Sequence, residues 1–185
     1  MVLNLHGLYG TAENTNYRIL TELYPVPEIY SPQIAFEKRS PYNIIDGLYA
    51  VKDIDFIVGN SFGGFYAYAM GAELNIPCLL TNPCIPPAKY IRELVPEYPE
   101  SSLHQLRELT EPAYTKRLHE TSCSTFVILG KDDDILDSKF TKKYLKNAEI
   151  HEIDGKHRLS GEGYRKLFKE LIHHRKYFTY KLELK

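Results

Sequence analysis

One stretch constrains this chain more than any other: IVGNSFGGFYAYAM, residues 57 to 70. An apolar run ends at Val58, and small and aromatic residues that suit a helix begin at Phe62. Between them stands one serine, Ser61, with a glycine two residues away on either side, Gly59 and Gly63. A strand that turns directly into a helix reverses so tightly that the serine takes a strained backbone conformation, and the glycines leave room for the close approach. The hydroxyl then stands exposed at the carboxyl end of the sheet, where open α/β sheets bind ligands. The N–H groups and dipole of the following helix aim at the same point and favour a developing oxyanion. Glycine and serine are common residues, however, and the pattern alone also suits a plain turn with a structural serine.

The surroundings of the turn repeat its rhythm. Short apolar runs predict strands at 2–5, 33–36, 55–58, 76–81, 124–129 and 148–153. Longer amphipathic stretches predict helices at 14–24, 41–51, 62–74 and 138–146. A last helix is marked by Tyr164, Leu167, Phe168, Leu171 and Ile172, which recur on one helical face. Strands alternating with helices imply a parallel sheet covered on both faces. From about Pro83 to Glu120 six prolines interrupt the alternation, and this region reads as a small helical cap inserted over the sheet, with a capping box at Ser102–Gln105. At the end, Phe178, Tyr180, Leu182 and Leu184 alternate with Thr179, Lys181, Glu183 and Lys185. Period two predicts an extra C-terminal edge strand, on the sheet or pairing across a homodimer.

Composition narrows the partners. The chain has 185 residues, enough for one domain over 1–185 with a real core. Lys and Arg number 23 and Asp and Glu 24, a net charge of −1, which argues against nucleic acid or an anionic membrane as partner. No apolar run is long enough to span a membrane, and the start MVLNLHGLYG does not read as a signal peptide. Three cysteines, Cys78, Cys84 and Cys123, have no metal-like spacing and fit a reduced, cytoplasmic protein.

A serine hydroxyl is a weak nucleophile at neutral pH and needs a base. Of seven histidines, His157 sits in DGKHRLS just beyond the last core strand, on the same carboxyl edge as Ser61. His151 lies within a strand, His173 and His174 on a helix, and His104 and His119 in the cap region. The base in turn needs an acid to hold its tautomer. Leu129-Gly-Lys-Asp-Asp-Asp-Ile-Leu follows a strand at its carboxyl end, and Asp133 is the chosen acid. Asp134 is the alternative, ahead of Asp132 and Asp137; the spacing is not that of a calcium loop. Two N–H donors complete the set: Phe62 after the serine, and Leu8 or Tyr9 in His6-Gly-Leu-Tyr-Gly10 after the first strand. His6 suits a structural anchor of that turn better than a second base. Ser61, Asp133 and His157 each follow a different strand, in the chain order Ser–Asp–His.

With LNLHGLYGTAENT, GNSFGGFYA, ILGKDDDILD and IDGKHRLS in place, the chain resembles the α/β-hydrolase superfamily, and within it the small bacterial YqiA-type esterases. In that family the acid lies in G-x-x-D-x-x-[VL], which Gly130, Asp133 and Leu136 match, so the resemblance supports Asp133 over its neighbours. The HG motif matches His6-Gly7 and supports Leu8 as an oxyanion donor. Many members carry two further strands ahead of the HG strand, whereas here that strand starts at Val2; the expected fold is therefore a compact α/β-hydrolase, a mostly parallel six-stranded sheet with helices on both faces. The implied chemistry is hydrolysis of carboxylic esters, short acyl chains favoured, or of thioesters, without metal or organic cofactor. An acyltransferase on the same fold and a catalytically silent binding protein are the alternatives. Tyr9, Tyr90, Tyr98 and Tyr114 suggest a pocket that is partly apolar with polar tips.

Overall fold

The computed structural model describes residues 1–111 and 124–182, with side chains through 174. Its elements run β1 (Val2–Leu5), α1 (Thr15–Leu20), β2 (Ile29–Tyr30), α2 (Pro41–Tyr49), β3 (Phe56–Asn60), α3 (Phe62–Leu74), β4 (Cys78–Thr81), α4 (Pro87–Leu94), α5 (Glu100–Leu109), β5 (Thr125–Gly130), α6 (Ser138–Tyr144), β6 (Glu149–Ile153) and α7 (Glu162–Leu182). The six strands pair in the order β2-β1-β3-β4-β5-β6, and every pairing is parallel. Parallel neighbours cannot be joined by a tight hairpin, so each connection crosses over a face of the sheet.

Alternate residues of each central strand sort into two cores. Leu3, Leu5, Ile57, Leu80, Val127 and Leu129 face the side covered by α2, α3, α4 and α5. Val2, Phe56, Val58, Leu79, Phe126 and Ile128 face α1 and α7. Both sets are buried, which is why these strands read as unbroken apolar runs rather than as alternation. The helical face expected from Tyr164 onward is the lid of the second core, with Tyr164, Phe168, Leu171 and Ile172 all buried. Local signals set the helix starts. Asn14 accepts from the Tyr17 N–H at 2.9 Å, Asp137 accepts from the Lys139 N–H at 2.9 Å, and Pro41 occupies the first turn of α2. Among the described residues no helix is long and apolar enough to cross a membrane.

Three local expectations are corrected. The second strand is Ile29–Tyr30, paired to Val2 and Leu3, and not 33–36. The later segment spends its hydrogen bonds elsewhere: the Ile34 N–H donates to His6 Nε2 at 2.9 Å, and the Gln33 side chain donates to the Gly10 carbonyl and accepts from the Ala12 N–H. The capping box does not form. Helix α5 begins at Glu100, so Ser102 lies inside it, and Gln105 reaches outward to accept from Ser40 Oγ at 2.7 Å, tying α5 to the start of α2. The C-terminal edge strand is absent over the described residues, because α7 continues to Leu182. No glycine or proline interrupts the chain after Gly163, and extending a helix already nucleated costs far less than starting a new element. The expected strand-mediated dimer thus lacks its strand through Leu182, and 183–185 lie outside the described residues. The region 83–120 contains α4 and α5; Tyr114, His119 and Cys123 also lie outside the described residues.

Helix α3 lies so close to the sheet that its first turn touches the end of β1. A Cβ on Gly63 would stand 2.2 Å from the His6 carbonyl oxygen and 2.7 Å from that of Leu5, both of them backbone. Gly63→Ala is therefore expected to lower stability by about 3 kcal/mol, at the upper end of overpacking costs. Gly163→Ala, where the added Cβ meets nothing within 4 Å, serves as the control. Urea denaturation of the two variants checks the difference, and similar midpoints would contradict it.

Candidate active site

Ser61 takes φ 51° and ψ −120°, a conformation that side-chain-bearing residues rarely adopt. The strain persists because the turn is held on both sides. The Ser61 N–H donates to the Thr81 carbonyl at 3.0 Å, and the Ser61 carbonyl accepts from the N–H groups of Gly64 at 2.9 Å and Cys84 at 2.8 Å. Gly59 is as constrained as Gly63: a Cβ there would fall 2.5 Å from the Ala67 Cβ and 2.7 Å from the Gly64 Cα. Both outer glycines of the motif are thus required by backbone approach.

His157 bridges the serine and a carboxylate. Its Nε2 lies 2.9 Å from Ser61 Oγ, and its Nδ1 lies 2.9 Å and 3.1 Å from the two oxygens of Asp133. The side chains of His157 and Asp133 are 10% and 5% exposed, so the pair sits largely away from water, where its attraction is stronger. Asp133 Oδ1 also accepts from the N–H groups of Ile135 and Leu136, both at 2.9 Å, which fixes the carboxylate before the histidine meets it. The other acids have separate tasks. Asp134 accepts from the backbone N–H of His157 at 3.3 Å, and that bond, helped by Lys156, holds its carboxyl below the usual range. Asp137 caps α6, and Asp132 is exposed. Among the four acids, Asp133 is the one hydrogen-bonded to the His157 ring.

The loop after β1 runs beside the serine: a Cβ on Gly7 would lie 3.0 Å from the Ser61 Cβ. The hydrogen bonds among the described residues include none from the N–H groups of Leu8 and Phe62, the two expected oxyanion donors. His6 anchors this loop. Its Nε2 accepts from the Ile34 N–H, so the ring proton sits on Nδ1 and is donated to the Gly7 carbonyl at 2.7 Å. The Gly10 N–H closes the turn onto that same carbonyl at 2.9 Å. His6 further packs edge-on against Phe36, which stacks with Tyr66 and meets Phe62.

The remaining histidines among the described residues stay apart from this cluster. His104 is exposed beside Glu108, His151 pairs with Glu149, and His173 and His174 are exposed on α7. Tyr90 and Tyr98 are buried with Phe62 and Tyr66 in one cluster, while Tyr9 is 65% exposed. Nothing in the local sequence marks Asn82, Gln33 or Asn16 for the roles they take here. Asn82 directly follows a strand and precedes a proline, a signal that reads as ordinary turn chemistry.

Burial holds the His6 imidazolium below the ordinary histidine range, against the opposing pull of the Gly7 carbonyl and Glu37. The unfolded chain therefore binds a proton at His6 more readily than the folded one. Stability from this group is complete above about pH 6.5 and is lost as pH falls below that value toward the folded pKa. Folding free energy is thus expected to drop between about pH 7.5 and about pH 5.5, and to drop less in His6→Asn. Urea titrations at both pH values check this; equal losses in the two proteins would contradict it.

A search of curated protein sequences finds no match. Solved structures share the architecture at low identity. Est1E from Butyrivibrio proteoclasticus is 14% identical, with a TM-score of 0.66 over 94% of this chain and 87% of that one. An acetate-bound variant of the meta-cleavage product hydrolase from Pseudomonas fluorescens IP01 is 16% identical, with a TM-score of 0.62 over 93% and 89%. The Paleococcus ferrophilus monoacylglycerol lipase is 14% identical, with a TM-score of 0.60 over 94% and 93%. These likenesses establish the α/β-hydrolase fold. Residues 43–174 match the profile of the uncharacterised protein family UPF0227, and the chain belongs to this family.

Proposed function

We propose that the protein is a serine hydrolase that cleaves carboxylic esters, short acyl chains favoured, or thioesters, through an acyl-enzyme on Ser61. The observation that carries this reading is the double bridge of His157, with Nε2 at 2.9 Å from Ser61 Oγ and Nδ1 at 2.9 Å from Asp133. In the first step Ser61 Oγ attacks the acyl carbon while its proton passes to His157 Nε2. Asp133 holds the tautomer with the other proton on Nδ1 and stabilises the imidazolium that forms. The N–H groups of Phe62 and Leu8 hold the oxyanion, a contribution usually worth a factor of about 10²–10³ per donor. The carbon–oxygen or carbon–sulfur bond then breaks, and His157 Nε2 delivers its proton to the leaving alcohol or thiol. Water repeats the sequence, losing a proton to His157 and releasing the acid from Ser61.

All of these roles fall to groups of the protein, so the reading calls for no metal or organic cofactor. Its partner is a small acyl ester or thioester. In this reading α4 and α5 belong to a small cap over 83–120, whose Tyr90 and Tyr98 pack into the apolar core beneath it. A cap of this size shields little hydrocarbon, which favours short chains. The setting we propose is the reducing cytoplasm, where thiols such as the buried Cys78 and Cys84 persist.

A fluorophosphonate probe, with the adduct located by mass spectrometry, tests the nucleophile, and turnover of short acyl esters and thioesters tests the substrate class. Labelling is expected on Ser61 and turnover is expected to fall about 10⁴-fold in Asp133→Asn, which leaves the geometry but spoils the tautomer. Ser61→Ala should remove both signals while leaving the thermal transition in place. Full turnover in Ser61→Ala refutes the assignment. Analysis of products with added alcohol acceptors separates hydrolysis from acyl transfer, and acyl-ligand binding without labelling points to a silent binding protein.

A further inference from the structure

We propose that Asn82 is the positioning residue that sets His157 against Ser61 and Asp133, an inference that rests on the catalytic reading above. Asn82 directly follows β4 and is buried, with 1% of its surface exposed. Its side-chain amide uses donors and acceptor at once. Nδ2 donates to the His157 carbonyl at 2.9 Å and to the Lys156 carbonyl at 3.1 Å, and Oδ1 accepts from the Gly130 N–H at 2.8 Å. Its backbone N–H donates to the Ile128 carbonyl at 2.9 Å. One planar group therefore joins the end of β5 to the loop that carries the histidine.

Each member of the cluster is a short covalent step from this amide. Ser61 donates its N–H to the carbonyl of Thr81, the residue before Asn82. Asp133 lies three residues beyond Gly130, whose N–H is held. His157 has its own carbonyl held by Asn82 and its own N–H held by Asp134, so its backbone is gripped from both sides. The loop is also pressed onto the strand end: a Cβ on Gly130 would lie 2.5 Å from the Gly155 carbonyl oxygen and 2.7 Å from that of Lys156.

The chemistry singles out an amide. A carboxylate offers no donor to the two carbonyls, and an aliphatic side chain offers neither donor nor acceptor. The backbone singles out asparagine as well, because φ is 40° here and Asn tolerates the left-handed region better than most residues. The hydrogen bonds of the amide go to the backbone of Lys156, His157 and Gly130, so it acts through the backbone of His157. Its loss lets the ring drift relative to both partners, which lowers the chemical step and leaves substrate binding alone.

Two variants test this in the full chain. Asn82→Gly removes the side chain and suits the positive φ; Asn82→Asp keeps shape and the acceptor for Gly130 but loses both donors. Both are assayed with a short acyl ester below their thermal transitions, and the low-field proton of the His157–Asp133 hydrogen bond is followed by NMR. We expect kcat to fall about 10- to 100-fold with KM within about twofold of wild type, the size of effect that misplacement of a catalytic group produces. We also expect the low-field resonance to shift or broaden away in both. A kcat within about twofold of wild type in folded Asn82→Gly, a loss carried by KM, or an unchanged resonance each overturns the proposal. If wild-type protein neither turns over esters nor labels at Ser61, it is the catalytic reading that fails, and the resonance still decides whether Asn82 holds His157.

Discussion

Backbone meets backbone where β1 ends and α3 begins, and the remaining site geometry depends on that contact. Gly63 packs against the carbonyls of Leu5 and His6, and Gly59 packs against Gly64 and Ala67. Without side chains at these points α3 can lie low on the sheet. The tight turn that results forces Ser61 to a positive φ at a cost on the order of 1–3 kcal/mol. Three backbone hydrogen bonds, to Thr81 and from Gly64 and Cys84, offset that cost at about 1 kcal/mol each. The same contact brings Gly7 alongside Ser61, so one packing event sets both the serine turn and the loop beside it.

Around this contact the fold buries polar groups in pairs. Asn16 donates to Thr81 Oγ1 at 3.1 Å, Thr81 donates to Asn60 Oδ1 at 3.1 Å, and Tyr164 donates to Asn16. This chain runs from α7 through α1 to the residue before Ser61, crossing the second core. Buried polar groups of this kind are tolerated because each finds a partner, and being directional they specify one arrangement where apolar packing would allow several. On the opposite face the aromatic group of Phe36, Phe62 and Tyr66 fills the space between His6 and α3. Burial pushes the Tyr98 hydroxyl up to about 12 and raises that of Tyr66 well above the ordinary tyrosine value, so both stay neutral tips within an apolar cluster.

Much of this was legible in the residues. Apolar runs located β1, β3, β4 and β5 to within two positions, because strands whose side chains are buried on both faces read as largely apolar runs, and the half-buried edge strand β6 was located to within one. Helix α3 was legible in full, bounded by the glycine motif at its start and by Asn75 in the left-handed conformation at its end. The hydrogen-bonded grouping of Ser61, His157 and Asp133 was expected from chain order and from loops that each trail a strand. Two of the three misread segments share one cause: nonlocal partners claimed their hydrogen-bonding groups. Residues 33–36 have strand composition, yet His6 and the turn at Gly10 engage Gln33 and Ile34. Ser102–Gln105 has capping spacing, yet Gln105 is used by Ser40 of another helix.

The sequence by itself determined the parallel α/β order, the glycines on either side of Ser61, and the loops that carry Asp133 and His157. Local composition and periodicity carry that information, since a strand–glycine–helix turn is specified by the residues that form it. Only the tertiary structure decided which way the side chains point. Asp133 faces the His157 ring while Asp134 takes its backbone, a division that depends on how the loops after β5 and β6 stack. The role of Asn82 is of the same kind. Its three side-chain bonds reach 48, 74 and 75 positions along the chain, and no local pattern encodes contacts that exist only once three strand ends lie side by side.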